Sequence, residues 1–211
     1  MRLTKYEHAC LVVAEGDAKL VVDPGGFTTP LVGLRGVVAV VVTHEHQDHW
    51  TPDQLGHLRE SAPDLVVLGP PGVVAAAKGF DVREVHDGDV VEVGPFSLAF
   101  HGSRHAVIHD SIPVVDNTGV LVNDELFVPG DQFTVPPVEV PTLAVPIGAP
   151  WLKVSEVMDY VAAVHPRRTF PVHEGTLSQA GFDMHADRVR RVVEGYGGEA
   201  RVLRPHETVE L

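Results

Sequence analysis

The chain has 211 residues, of which 44% are hydrophobic and 21% charged, values ordinary for a folded domain able to bury a sizeable core. A formal net charge of −13, from 16 basic and 29 acidic residues, argues against nucleic acid as a partner, since that leaves a basic footprint. The single cysteine, Cys10, rules out an intramolecular disulfide and reads as a buried small hydrophobe. No charged N-terminal region precedes a long apolar stretch, and no apolar run approaches the length of a membrane span. The expectation is therefore one cytoplasmic domain spanning residues 1–211, with no membrane association and with homo-oligomerisation left open.

In chain order, the first third reads as strands and tight turns. Residues 9–13 and 19–22 are apolar runs separated by Glu15-Gly16-Asp17, a hairpin signal, and Asp23-Pro24-Gly25-Gly26 stops the second run. Residues 37–42 form a short, continuous, β-branched run, the pattern of a buried strand. Thr51 is placed to cap a helix with Pro52 in its first turn and Gln54 at the capping-box position, ending near Glu60. A strand is expected at 65–68 and a short helix at 71–78, closed by Gly79. Asp87-Gly88-Asp89 is a turn between strands at 82–85 and 90–93, and another strand covers 96–100. In the second half, strands at 119–122 and 126–128 are joined by Asn123-Asp124, and a buried strand at 143–145 ends at Pro146. A helix capped by Ser155 runs to His165, a strand covers 169–172, and a helix covers 184–194. Residues 202–203 and 209–210 are expected to form a last edge pairing. Strands inside and helices at intervals in both halves give a layered α/β sandwich with two sheets between outer helices.

The segment Thr43-His44-Glu45-His46-Gln47-Asp48-His49 follows the buried run at 37–42 directly. It carries four metal-capable side chains, His44, His46, Asp48 and His49, where a core strand opens into a loop. Imidazole with carboxylate suits divalent first-row metals, Zn²⁺ above all. Alternate residues of an extended segment face one side, so His44 and His46 can share one ion. Asp48 and His49 point elsewhere and can reach a second. Further ligands are sought at strand ends: His105 after the strand at 96–100, Asp131 in Pro129-Gly130-Asp131, and His173 after the strand at 169–172. His101 and His109 rival His105, which is preferred because it sits in a glycine turn past the strand end.

With Asp23 in Val21-Val22-Asp23-Pro24-Gly25, these stations resemble the metallo-β-lactamase superfamily, in order and over nearly the whole chain. Within it, Tyr6-Glu7-His8-Ala9, Gly102-x-x-His105-Ala106 and Ala149-Pro150-Trp151-Leu152-Lys153 look similar to a small bacterial branch that includes ascorbate-6-phosphate lactonase-like proteins. The resemblance implies an αββα four-layer sandwich with the metals at one edge between the sheets. It implies His44, His46 and His105 on one ion, Asp48, His49 and His173 on the other, Asp131 bridging, and Asp23 orienting a ligand from behind. It also implies two divalent ions, Zn²⁺ first and Mn²⁺ or Fe as alternatives, that bridge a water and generate hydroxide near neutral pH.

The expected activity is hydrolysis of a small soluble lactone, ester or phosphoester, with Asp48 as the catalytic residue that orients the nucleophile and passes on a proton. The alternatives are a phosphodiesterase or nuclease, which the acidic chain disfavours, and a metal-binding protein without turnover. Substrate contacts are sought at His8, which either lines the cleft or packs at a strand start. Trp151 is either a pocket wall or a core anchor, and Arg104 is a candidate for binding an anion.

Overall fold

Apolar residues fill most strands, and because successive ones face opposite sides, both faces of each sheet are covered. In the computed structural model, which describes residues 1–211, the first sheet begins with β1 (Arg2–Lys5), β2 (Leu11–Glu15), β3 (Ala18–Val22) and β4 (Val37–Val41). Then come α1 (Pro52–Ser61), β5 (Val66–Gly69), α2 (Pro71–Ala76) and β6 (Val82–Glu84). The second sheet takes β7 (Val90–Val93), β8 (Phe96–His101), β9 (Gly119–Val122), β10 (Leu126–Val128) and β11 (Thr142–Pro146). It is followed by α3 (Val154–Val164), β12 (Arg168–Val172), α4 (Gln179–Gly195), β13 (Glu199–Ala200) and β14 (Thr208–Glu210). Each sheet has seven strands, ordered β14-β1-β2-β3-β4-β5-β6 and β13-β12-β11-β10-β9-β8-β7.

Three apolar clusters make four layers. Leu11, Val13, Leu20, Val22 and Val41 of the first sheet meet Leu98, Phe100, Val120, Val122 and Phe170 of the second. The intervening residues Cys10, Val12, Val21 and Val40 face outward, against Leu55 and Leu58 of α1 and Val73 of α2. On the far side Leu121, Phe127, Leu143 and Val145 pack against Val157 and Val161 of α3 and Val189 and Val193 of α4. The unbroken β-branched run of β4 follows from this: its neighbours β3 and β5 are parallel to it, and helices cover its outer face. The observed fold is the α/β sandwich read from the sequence.

Local details depart from the sequence reading. β1 was not anticipated; it pairs with β14 on one side and β2 on the other, so the C-terminal strand closes the first sheet. Val209-Glu210 therefore does not pair with Val202-Leu203. The partner of β12 is Glu199-Ala200, while Leu203 drops into the core between the sheets. The turn at 87–89 does not join neighbours in one sheet but carries the chain from β6 in the first sheet to β7 in the second. Ser155 is not a cap: α3 begins at Val154 after Lys153, with no capping side chain. α4 begins five residues earlier than expected, at Gln179, with Ser178 accepting from Gly181 N. Gly181 had masked this start, because glycine weakens a helical pattern. Thr51 does cap α1, accepting from Gln54 N at 3.2 Å. The Gln54 side chain does not return that bond. It instead accepts from Leu31 N and donates to Thr28 O, fastening the loop after β3 to α1.

Candidate metal centre

β3, β4, β8, β10 and β12 all deliver a station at their C-terminal ends: Asp23, His44, His105, Asp131 and His173. β3 and β4 are parallel. In the second sheet β8 and β10 are both antiparallel to β9, and β10, β11 and β12 run parallel, so these ends share one edge. The two sheets are stitched there by a bridge between His44 and Asn117. Ligands in open α/β sheets bind beyond such carboxyl ends, where loops can converge on a rigid frame.

The edge gathers three groups of donor atoms, each group within 4.8 Å: His44, His46 and His105; His8, Asp48, His49 and His173; and His44, His49 and Asp131. Hydrogen bonds fix how the imidazoles present themselves. His105 Nδ1 donates to Ala106 O at 2.5 Å and His173 Nδ1 to Gly148 O at 2.6 Å. His49 Nδ1 donates to Asp23 Oδ2 at 2.8 Å. The one Thr43 hydroxyl proton goes to Asp23 Oδ2, so Thr43 Oγ1 can accept from His44 Nδ1 at 3.1 Å. Each of these rings is left with its Nε2 lone pair aimed inward, the arrangement that orients a metal-ligating histidine.

Nε2 of His49, His105 and His173, together with Asp131 Oδ1, are buried without a hydrogen-bond partner. Four such atoms in one place are costly, since each forfeits its hydration for nothing in return. A cation resolves the cost. Two donors on one tetrahedral Zn²⁺ lie about 3.3 Å apart, from metal–nitrogen bonds of about 2.0–2.1 Å. Asp131 Oδ1 is 3.2 Å from both His49 Nε2 and His173 Nε2, and Asp48 Oδ2 is 3.4 Å from His173 Nε2. Asp131 Oδ2 is 3.4 Å from His105 Nε2, and His44 Nε2 is 3.1 Å from His46 Nδ1. The residues fit bound metal, with the two oxygens of Asp131 turned toward different donor groups.

The electrostatics agree with this fit. Burial alone would lower the pKa of His49 and His173, but carboxylates outweigh it. Asp23 and Asp131 hold His49 well above its usual value, and Asp131 raises His173 to about 9. Positive charge is thus favoured at both Nε2 atoms, whether a proton or a metal ion brings it. Burial opposes ionisation of Asp131 and Asp48 as well. Even so, the charges of His49 and His173 hold Asp131 far below the carboxylate range, and His173 and His8, close beside Asp48, do the same for that carboxylate. His44 is pushed well down, first by burial and then by the charge of His49, which keeps its lone pair free.

A family model described as a beta-lactamase superfamily domain matches residues 2–173, from β1 through the last of these stations. The chain belongs to that superfamily. Protein Rv0786c of Mycobacterium tuberculosis is 38% identical over 183 residues, covering 84% of this chain and 86% of that one. A protein of Chelativorans named as a metal-dependent hydrolase is 26% identical over 97% of both chains. Among solved structures, Igni18, a metallo hydrolase from Ignicoccus hospitalis, superposes with a TM-score of 0.74 at 19% identity, covering 99% of this chain and 97% of that one.

Within this superfamily member the sequence stations divide by placement. His44, His46, Asp48, His49, His105, Asp131 and His173 converge, with Asp23 behind His49, fully buried and accepting from Thr43 N and Thr43 Oγ1 at 2.8 Å. His101 and His109 lie outside all three groups. His8 is 1% exposed and stands behind Asp48, not at an open cleft. Its Nδ1 accepts from Gly175 N, so its Nε2–H points at Asp48 Oδ2, 3.3 Å away, as a donor and not a ligand. Trp151 is also buried, with its indole N–H on Asp131 Oδ2 at 2.8 Å. Arg104 is exposed beside His105. His8, Asp23 and His173 all have positive φ, a conformation that aspartate and histidine tolerate better than most residues and that gathers at functional sites.

One important residue was not anticipated. Asn117 is fully buried, accepts from Asp131 N at 2.9 Å and donates to Pro129 O at 2.9 Å, while its backbone bridges to His44. It ties the turn of Asp131 to the end of β4. In Asp116-Asn117-Thr118-Gly119 it reads as an ordinary turn asparagine, and nothing in the sequence alone separates the two roles.

Proposed function

We propose that this protein is a dinuclear metal-dependent hydrolase of a small soluble lactone, ester or phosphoester. The observation that carries the reading is the convergence of four buried, unpartnered donor atoms, Nε2 of His49, His105 and His173 and Oδ1 of Asp131, on one sheet edge. Membership of a superfamily with members named as metal-dependent hydrolases supports it. His44, His46 and His105 would hold one ion, Asp48, His49 and His173 the other, with Asp131 between them. Zn²⁺ suits this donor set best, and Mn²⁺ or Fe can take the same ligands. Bound there, the ions would supply Lewis acidity, lowering the pKa of water and polarising the oxygen under attack.

The chain's own residues define the rest. Asp48 and His46 are the partly exposed members of the set, and Asp48, at 27% side-chain exposure, is the carboxylate among them open to incoming water and substrate. Its carboxylate is held by His8 and His173 far below the pH of use, so it orients a nucleophile by accepting hydrogen bonds and is a poor store for a proton. Arg104, exposed and next to His105 in sequence, would be the candidate to meet an oxyanion. Cys10 is excluded as a nucleophile, because burial and then Asp23 push its thiol up.

The test is metal analysis together with a panel of simple lactones, aryl esters and bis-aryl phosphodiesters, each with and without chelator. About two ions per chain and chelator-sensitive turnover of a lactone or ester support the reading. Turnover of the phosphodiester alone moves the assignment to a phosphodiesterase. Two bound ions with no turnover anywhere in the panel leave a metal-binding protein.

A further inference from the structure

We propose that Trp151 is a positioning residue for the metal pair, fixing through its indole N–H which oxygen of Asp131 faces which ion. The proposal rests on the dinuclear reading above and adds a residue to it.

Trp151 lies in the loop between β11 and α3, 8% exposed. Its ring packs edge-on against Phe133 at 5.0 Å and His105 at 6.0 Å. Phe133 is held in turn by Tyr160 of α3 at 5.0 Å, and the Tyr160 hydroxyl donates to Thr134 O at 3.0 Å. The indole therefore has little freedom, held by Phe133 from the loop that carries Asp131 and by His105 from the segment after β8. Its one donor, Nε1–H, goes to Asp131 Oδ2 at 2.8 Å.

The choice of oxygen gives the bond its meaning. Oδ2 is the oxygen facing His105, and Oδ1 faces His49 and His173. Asp131 N, bonded to Asn117 Oδ1, fixes the backbone of the residue but not the rotation of its carboxylate. The indole supplies that constraint. A carboxylate oxygen has two lone pairs, so Oδ2 retains one for the ion on the His44, His46 and His105 side, while Oδ1 keeps both for the other ion. Without the N–H the carboxylate can turn both oxygens toward His49 and His173. The ion on the first side then loses its only carboxylate donor and is left with three neutral imidazoles. Trp151 thus acts through Asp131 and need not touch substrate.

Two variants separate hydrogen bonding from packing. W151F keeps an aromatic ring and lacks the donor. W151Q lacks the ring and carries an N–H at the same number of bonds from Cβ. Chelator-stripped protein is titrated with Zn²⁺ against a chromophoric competitor, giving stepwise affinities, with circular dichroism confirming that each variant is folded. The expected result is two ions for the unaltered protein, a second-ion affinity about 10- to 100-fold weaker in W151F, and partial recovery in W151Q. If W151F binds both ions as tightly as the unaltered protein, or W151Q is weaker than W151F, the positioning role is overturned while the dinuclear reading stands. Fewer than two ions on the unaltered protein overturns both. A further measurement needs no variant to bind metal. The chain has two tryptophans, so its indole ¹H–¹⁵N spectrum has two peaks, and the Trp151 peak is assigned by its absence in whichever variant folds. Zn²⁺ is expected to shift that peak, and no shift at saturation overturns the proposal.

Discussion

Replacing Gly25 by alanine separates the two halves of the metal centre. Gly25 has no unusual φ; it is glycine because the chain passes directly over the backbone of Asp48. A Cβ built there lies 1.7 Å from Asp48 O, 2.1 Å from Asp48 C and 2.7 Å from His49 N. Real Cβ atoms essentially never approach closer than 3.0 Å, so the two segments must part by at least 1.3 Å, the difference between 3.0 and 1.7 Å. The Gly25 side is pinned by Asp23 on Thr43 N and by Gln54 on Gly25 O at 3.3 Å. Much of the shift therefore falls on Asp48 and His49, which the proposed function assigns to the second ion. Metal ligation tolerates about 0.2 Å of error in each bond, so a displacement on this scale removes the site and does not merely distort it.

His44 should be spared, because Thr43 O accepts from Thr118 N at 2.9 Å and the bridge to Asn117 holds the end of β4 independently. The expected outcome for G25A is a folded protein that binds one ion in place of two, with kcat/KM on the best panel substrate down at least about 100-fold. Gly26→Ala is the control: its Cβ meets Gln47 O at 3.2 Å, a contact relieved by a few tenths of an ångström, and two ions should remain. Metal content by elemental analysis and melting followed by circular dichroism decide the matter. Two ions in G25A, with kcat/KM within about tenfold of the unaltered protein, would refute the assignment of Asp48 and His49 to a distinct second site.

Two further outcomes follow from the residues behind the ligands. D23N replaces an acceptor of three bonds, from Thr43 N, Thr43 Oγ1 and His49 Nδ1, with a group that must present N–H₂ to one of those donors. The expected loss is about 10- to 100-fold in metal affinity, by chelator competition, and about 1–3 kcal/mol in stability, by denaturant titration; unchanged affinity would show that the His49 tautomer needs no such support. Metal binding should also release protons, because the elevated pKa values of His173, about 9, and His49 mean that ions displace protons at neutral pH. Affinity then rises with pH up to about 9. The sign reverses for stability without metal: the raised His173 pKa stabilises the fold fully below its unfolded value of about 6.5, and that contribution is lost as pH rises through about 9. Calorimetry in buffers of different ionisation enthalpy measures the protons, and an enthalpy independent of buffer would contradict the prediction.

The sandwich and the residues that converge at its edge were legible for the same reason. Period-two alternation in β8, and the unbroken apolar runs of β2 and β4, are demands of burial, and burial acts on residue type. Likewise imidazole and carboxylate at 44, 46, 48, 49, 105, 131 and 173 are among the few side chains that hold such metals, so the residue types expose the stations. What failed was local or non-repeating. The start of α4 was hidden by one glycine, and the pairing of β14 with β1 depends on the chain returning from residue 208 to residue 4, which no short window contains. The groups that orient the ligands are harder still. His105 and His173 are aimed by the carbonyls of Ala106 and Gly148, and a carbonyl belongs to every residue. Asn117, His8 and Trp151 act through hydrogen bonds whose partners are distant in sequence, so there is no spacing to read. Ligand type is constrained by the metal and can be recognised one residue at a time, whereas ligand orientation is constrained by the assembled fold and has no signature until the strands are in place.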